Sequence, residues 1–128
     1  MPSEYPAAGT IMSAMVIGAA AATGPMLILS YGFGIFLLPP VLPITCLHAA
    51  LIAAPLYYSL RRWIPLDWIS CAIGGAVVGG APVALAVGVP AMMAGADPID
   101  MLKALAFFAG SGLIGGVAFY GWIIRDEI

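Results

Sequence analysis

The sequence predicts an all-α membrane protein, a bundle of four transmembrane helices with proline kinks. Three observations carry this. The chain has 128 residues, 63% of them hydrophobic and only 8% charged, whereas a soluble domain carries about 25% charged residues. Asp, Glu, Lys and Arg are missing from three long stretches, 5–60, 68–96 and 104–124. One span needs about 20 apolar residues, so the first stretch holds two spans and the others one each. Prolines at 25, 55 and 82 fall inside these stretches, where each removes a helix donor and crowds the preceding turn. Residues 1–128 therefore read as one membrane domain, with spans near 10–38, 43–60, 68–90 and 101–124.

Residues 1–9 hold Pro2 and Pro6 and read as an ill-ordered polar tail. They lack the basic residues of a secretory signal, so the first hydrophobic segment is expected to be retained. That segment, drawn straight over 10–38, would be about 44 Å long, against a hydrocarbon core of about 30 Å. Gly24-Pro25 predicts a kink, and Gly32 or Gly34 an alternative early exit; one kinked helix and a broken one both fit. Ala14, Gly18, Ala22 and Pro25 mark a small-residue face.

Pro39-Pro40 and Pro43 predict a turn, with Pro43 opening the second span. Thr45, His48, Ile52, Pro55 and Ser59 recur at steps of three and four, which places them on one face of a regular α-helix. The loop 61–67 starts with Arg61-Arg62 and is bracketed by Trp63 and Trp68, as expected of rings at a membrane interface. In the third segment Ala72, Gly75, Gly79, Pro82 and Ala86 form a seam nearly free of side chains. Ala109, Gly112 and Gly116 give the last span a small face of the same kind. Small residues let helix backbones approach closely in lipid, so Gly75, Gly79, Gly112 and Gly116 are predicted to carry helix packing. Pro90 is expected to end or bend the third segment. Asp97 before Pro98 predicts a helix N-cap, and Tyr120 and Trp122 anchor the far end.

Basic residues set the orientation. Four spans put both termini and the Arg61-Arg62 loop on one side, which then holds Arg61, Arg62 and Arg125; the other side holds only Lys103. The positive-inside rule places the first side in the cytoplasm of a bacterial inner membrane.

His48 is the candidate ligand-binding or proton-relay residue, because an ionisable group inside a membrane suggests a functional site. The bland alternative is a neutral imidazole bonded to a hydroxyl or carbonyl on a neighbouring helix, with Thr45, Ser70 or Ser111 as partner. It is favoured, because no second histidine or carboxylate lies at membrane depth. Cys46 and Cys71 differ in depth by about 16 Å on a helical rise, too far for a disulfide, and read as packing residues. No metal site, catalytic motif or cofactor motif is present, and Met92-Met93 is too little for a copper array. A net charge of -2 offers no basic surface for nucleic acid.

The pattern His48, Pro55, Tyr57, Arg61-Arg62, then the glycine pairs of 74–82, then Gly115-Gly116 before Phe119-Tyr120, resembles uncharacterised small four-span proteins of proteobacterial inner membranes. The resemblance covers about residues 43–124 and implies a fold and a location, but no activity. The first-span glutamate of small multidrug-resistance exporters is absent. The expected function is a non-catalytic accessory subunit or assembly factor, with the lipid bilayer and a homo-oligomer or larger membrane complex as partners. The alternatives are a small oligomeric transporter or channel with His48 near its path and, more weakly, a haem- or quinone-binding subunit.

Overall fold

The structure is a computed structural model and describes residues 6–30, 33–36 and 38–127. Among them no strand occurs. Four helices are long and apolar enough to cross a membrane: Ala8–Leu29, Pro39–Leu60, Trp68–Met93 and Pro98–Arg125. These are the first to fourth spans of a multi-pass, all-α membrane protein.

The first span is broken at the expected place. An α-helix over Ala8–Ala22 stops at Thr23, and a second runs over Gly24–Leu29 with Pro25 in its first turn. The Thr23 hydroxyl donates to the Ala20 carbonyl at 2.6 Å, so this buried group is satisfied within the helix. The span ends at Leu29, well short of residue 38. The Ser30 N–H donates to the Met26 carbonyl and its hydroxyl to that of Leu27, which closes the last turn. Ala8–Leu29 is already about 33 Å long, enough for the hydrocarbon core. Gly34 lies in a short 3-10 turn, Phe33–Phe36. Gly32 and most of the N-terminal tail lie outside the described residues.

The second span starts earlier than expected. Helix Leu38–His48 contains Pro43 as an interior residue. Pro39 and Pro40 occupy its first turn, where an N–H has no helical partner to lose. Beyond His48 the helix widens: Ala49–Ala53 is π-helical, and the Ala54 N–H reaches back five residues to the Ala49 carbonyl. The third span repeats this over Ala84–Gly88, where the Val89 N–H reaches the Ala84 carbonyl. Each wide turn closes one residue before a proline, Pro55 and Pro90. The extra room relieves the clash between the proline ring and the turn before it.

That insertion shifts the inward face by one residue. Of the residues expected to share one face, Thr45 and His48 border the layer, but below them Ala53 and Leu56 do so. Ile52, Pro55 and Ser59 are exposed, contrary to the regular-helix expectation. Ala86, predicted in the third-span seam, is likewise exposed within the other wide turn.

Side-chain caps set the remaining ends. Asp67 accepts the Ser70 N–H at 2.6 Å and opens the third span; that bond favours the carboxylate and holds its carboxyl below the usual range. The third span passes Pro90 and stops at Met93. Gly95 then adopts φ +87°, its N–H donates to the Met92 carbonyl, and the Ala96 N–H donates to that of Ala91. This is a Schellman closure, which needs a residue tolerant of left-handed backbone. Asp97 accepts the Ile99 N–H at 2.9 Å as the predicted N-cap. The fourth span then runs unbroken over Pro98–Glu127.

The fourth span is the centre of the molecule, packed between the third span on one side and the first on the other. A Cβ on Gly75 would strike the Gly112 carbonyl oxygen, one on Gly116 that of Cys71, and one on Gly79 that of Phe108. The other side is similar: a Cβ on Gly18 would lie 2.8 Å from the Gly115 carbonyl oxygen, and one on Gly115 2.7 Å from that of Gly18. Near the arginine-bearing end, Ile11, Ala14 and Ile123 are fully buried together, and the Trp122 indole N–H donates to the Ser13 hydroxyl at 3.0 Å. The second span lies across this three-helix layer and touches the first and third spans. None of its most apolar stretch is buried.

Candidate functional site: the cleft beneath the second span

Besides its backbone contacts with the first and third spans, two side chains tie the second span to the layer. The first is His48. Its Nε2 lies 2.8 Å from the Val78 carbonyl oxygen. A carbonyl only accepts, so Nε2 carries the hydrogen and donates. Val78 is available because Pro82, four residues on, has no N–H to give it. His48 thus satisfies a carbonyl that the third span's own proline leaves open, inside a medium with no water to do so. Thr45, Ser70 and Ser111, the partners expected from the sequence, are not the ones used. The Thr45 hydroxyl bonds back to the Val41 carbonyl at 2.9 Å.

The second contact is Tyr57. Its ring meets Phe119 edge-on, with centroids 6.0 Å apart, and packs against the buried cluster of Ile11, Ala14 and Ile123. The Arg61 guanidinium lies 5.0 Å over the Tyr58 ring at the same end.

Between the second span and the layer lies a cleft of about 720 Å³. All four spans line it. On the second span the lining runs from Val41 to Arg61, a depth of about 30 Å on a helical rise, comparable to the hydrocarbon core. Its walls are mostly apolar or featureless: Val78, Val83, Phe107, Leu56, and the glycines of the third and fourth spans.

One polar group on the wall is unexplained. Ser111 is among the residues that line the cleft, but its oxygen is itself buried and has no hydrogen-bond partner. Ser111 precedes Gly112, which meets Gly75 and Gly79, and lies four residues before Gly115, which meets Gly18. On the helix it therefore lies beside Gly115, on the flank next to the first span. Val78 adjoins Gly79, whose Cβ would meet Phe108 and Gly112. His48 and Ser111 thus border the cleft at one depth.

The packing glycines named from the sequence, Gly75, Gly79, Gly112 and Gly116, meet at one interface between the third and fourth spans. Arg61, Arg62 and Arg125 lie at one end of the bundle, and the Arg125 guanidinium rests 5.4 Å over the Trp122 ring. Among the described residues no group of three His, Cys, Asp or Glu side chains is placed to hold a metal ion. Cys46 and Cys71 are unlinked. The sequence marks Ser111 only as a possible partner for His48; its isolation follows from Pro82, which draws His48 to the third span instead. No family model, no curated protein and no solved structure matches this chain.

Proposed function

We propose that this protein is a small non-catalytic membrane subunit that works by binding, and that its working part is the cleft beneath the second span. The observation that supports this is the cleft itself. A space of about 720 Å³ falls within the range of small-molecule sites, about 300–1,000 Å³. It is walled chiefly by apolar groups, with polar ones such as Thr23, Thr45, His48 and Ser70 spaced along its length. Its place among the membrane-spanning helices suits a molecule that arrives from the bilayer.

Gly74 gives a direct test. It lines the cleft, and a Cβ there would meet nothing within 4 Å, so Gly74→Leu fills the space without touching the seam. Protein purified in mild detergent is expected to carry a defined small molecule enriched over the surrounding lipid, and Gly74→Leu to lose it. Extracts of the same composition from both proteins, matching the bulk membrane, would reject the binding role.

The orientation proposed is the one the basic residues suggest, with both termini and Arg61-Arg62 in the cytoplasm of a bacterial inner membrane. A reporter fused after Ile128 should be active only when folded inside the cell. Activity confined to the outer side would invert the arrangement.

A further inference from the structure

Among the described residues that line the cleft, Arg61 alone carries a full charge, and no Asp, Glu or Lys occurs. Arg61 stands where the second span passes into its loop. The cleft is therefore chiefly apolar along its length and cationic at one end. Basic groups at the mouth of a gap between spans suit the headgroup of an anionic lipid. This end also lies at headgroup level. Trp63 is 83% exposed there, as an indole resting at the interface would be. The Arg61 side chain is exposed, and its guanidinium rests 5.0 Å over the Tyr58 ring. That ring is itself 45% exposed, so the contact is a weak one. A guanidinium's planar fork of N–H donors bonds a phosphate more strongly. The Asp67 carboxylate, near the same end, accepts the Ser70 N–H and does not line the cleft.

The dimensions fit one lipid tail. Spread over a depth of about 30 Å, 720 Å³ is a mean cross-section of about 24 Å², a channel about 5.5 Å wide. One alkyl chain occupies such a channel, its carbons meeting the walls at about 3.5–4.0 Å. A helix, about 10 Å across, does not. From Arg61 to His48 is about 20 Å along the span, more than half of the hydrocarbon core of about 30 Å. A chain anchored at Arg61 thus stays within the cleft through the whole of its own leaflet.

We propose that the cleft seats one acyl chain of an anionic phospholipid, with the lipid's phosphate against the Arg61 guanidinium at the rim. This rests on the reading of the cleft as a binding site and names the class of its occupant. A neutral oily molecule fits the walls but leaves the charge at the rim unanswered. A zwitterionic headgroup brings its own cation to the Arg61-Arg62 pair.

The test uses the full chain in phosphatidylcholine nanodiscs and two trace probes with the same diazirine-bearing tails, one phosphatidylglycerol and one phosphatidylcholine. Labelled residues are mapped by mass spectrometry. Leu47 and Leu51, 60% and 65% exposed and off the cleft wall, set the bulk-lipid reference for each probe. Relative to that reference, phosphatidylglycerol is expected to label Ala53, Leu56 and Val78 about ten-fold more than phosphatidylcholine, the selectivity of about one charge-assisted hydrogen bond. Arg61→Gln should bring the two probes level. Arg62→Gln removes the same charge from the same loop, but from a residue off the cleft wall, and should keep most of the preference. Equal labelling by both probes, or the same loss in both variants, overturns the headgroup inference and leaves an apolar binding cleft. No labelling of Ala53, Leu56 and Val78 by either probe overturns the lipid occupant altogether, while the binding role still stands or falls on the molecule lost from Gly74→Leu.

Discussion

Gly75→Leu is expected to force the third and fourth spans apart and to cost at least about 3 kcal/mol of stability, the upper end of ordinary overpacking. The reason is what the new side chain would meet. Its Cβ would collide with the Gly112 carbonyl oxygen and come within 2.9 Å of the Gly116 Cα. Both are backbone atoms of a straight helix, which has no rotamer to change. The strain is relieved only by moving a whole span, and that undoes the contacts of Gly79 and Gly116 along the same line. Gly110 supplies the control. It lies two residues from Gly112 but has nothing within 4 Å of a built Cβ. Gly110→Ala should leave stability unchanged or raise it by up to about 1 kcal/mol through helix propensity alone. Unfolding of each variant by denaturing detergent in mixed micelles gives the comparison. If Gly75→Leu unfolds at the same detergent fraction as the parent, the seam is not the main contact between these spans.

The seam is legible in the sequence because it depends only on a repeat of small residues at helical spacing, within stretches too apolar to be anything but spans. Four helices and the residues through which they pack follow from that; which span meets which does not. The second span is less legible, and the cause is local. A regular α-helix carries the face from His48 to Ile52 and Pro55, whereas the wide turn over Ala49–Ala53 inserts a residue and turns Ala53 and Leu56 inward instead. A proline announces that a helix must yield; it does not announce whether it yields by a bend, a break or a wider turn. Pro25 breaks the first span at Thr23, Pro43 and Pro82 lie within α-helix, and Pro55 and Pro90 follow π turns. The cleft is hidden for the same reason. Its shape depends on how far the second span stands from the layer, and that distance is set by contacts between residues far apart in the chain. Ser111 looks like any small helix residue until its neighbours are in place.

His48→Ala should destabilise the protein by about 1–3 kcal/mol, the cost of a buried acceptor left without a donor. The orphan is the Val78 carbonyl, which Pro82 cannot reach with an N–H it does not have. Pro82→Ala restores that N–H at the position where an α-helix would use it. The two substitutions should therefore compensate: in the Pro82→Ala background, loss of His48 is expected to cost about 1 kcal/mol less or better, a coupling readable from a double-mutant cycle. Pro82→Ala alone should not destabilise, since a carbonyl has two lone pairs and Val78 can accept from both the restored backbone N–H and His48. The same detergent-unfolding assay reads all four proteins. An equal cost for His48→Ala in both backgrounds would mean that the imidazole serves something other than the Val78 carbonyl.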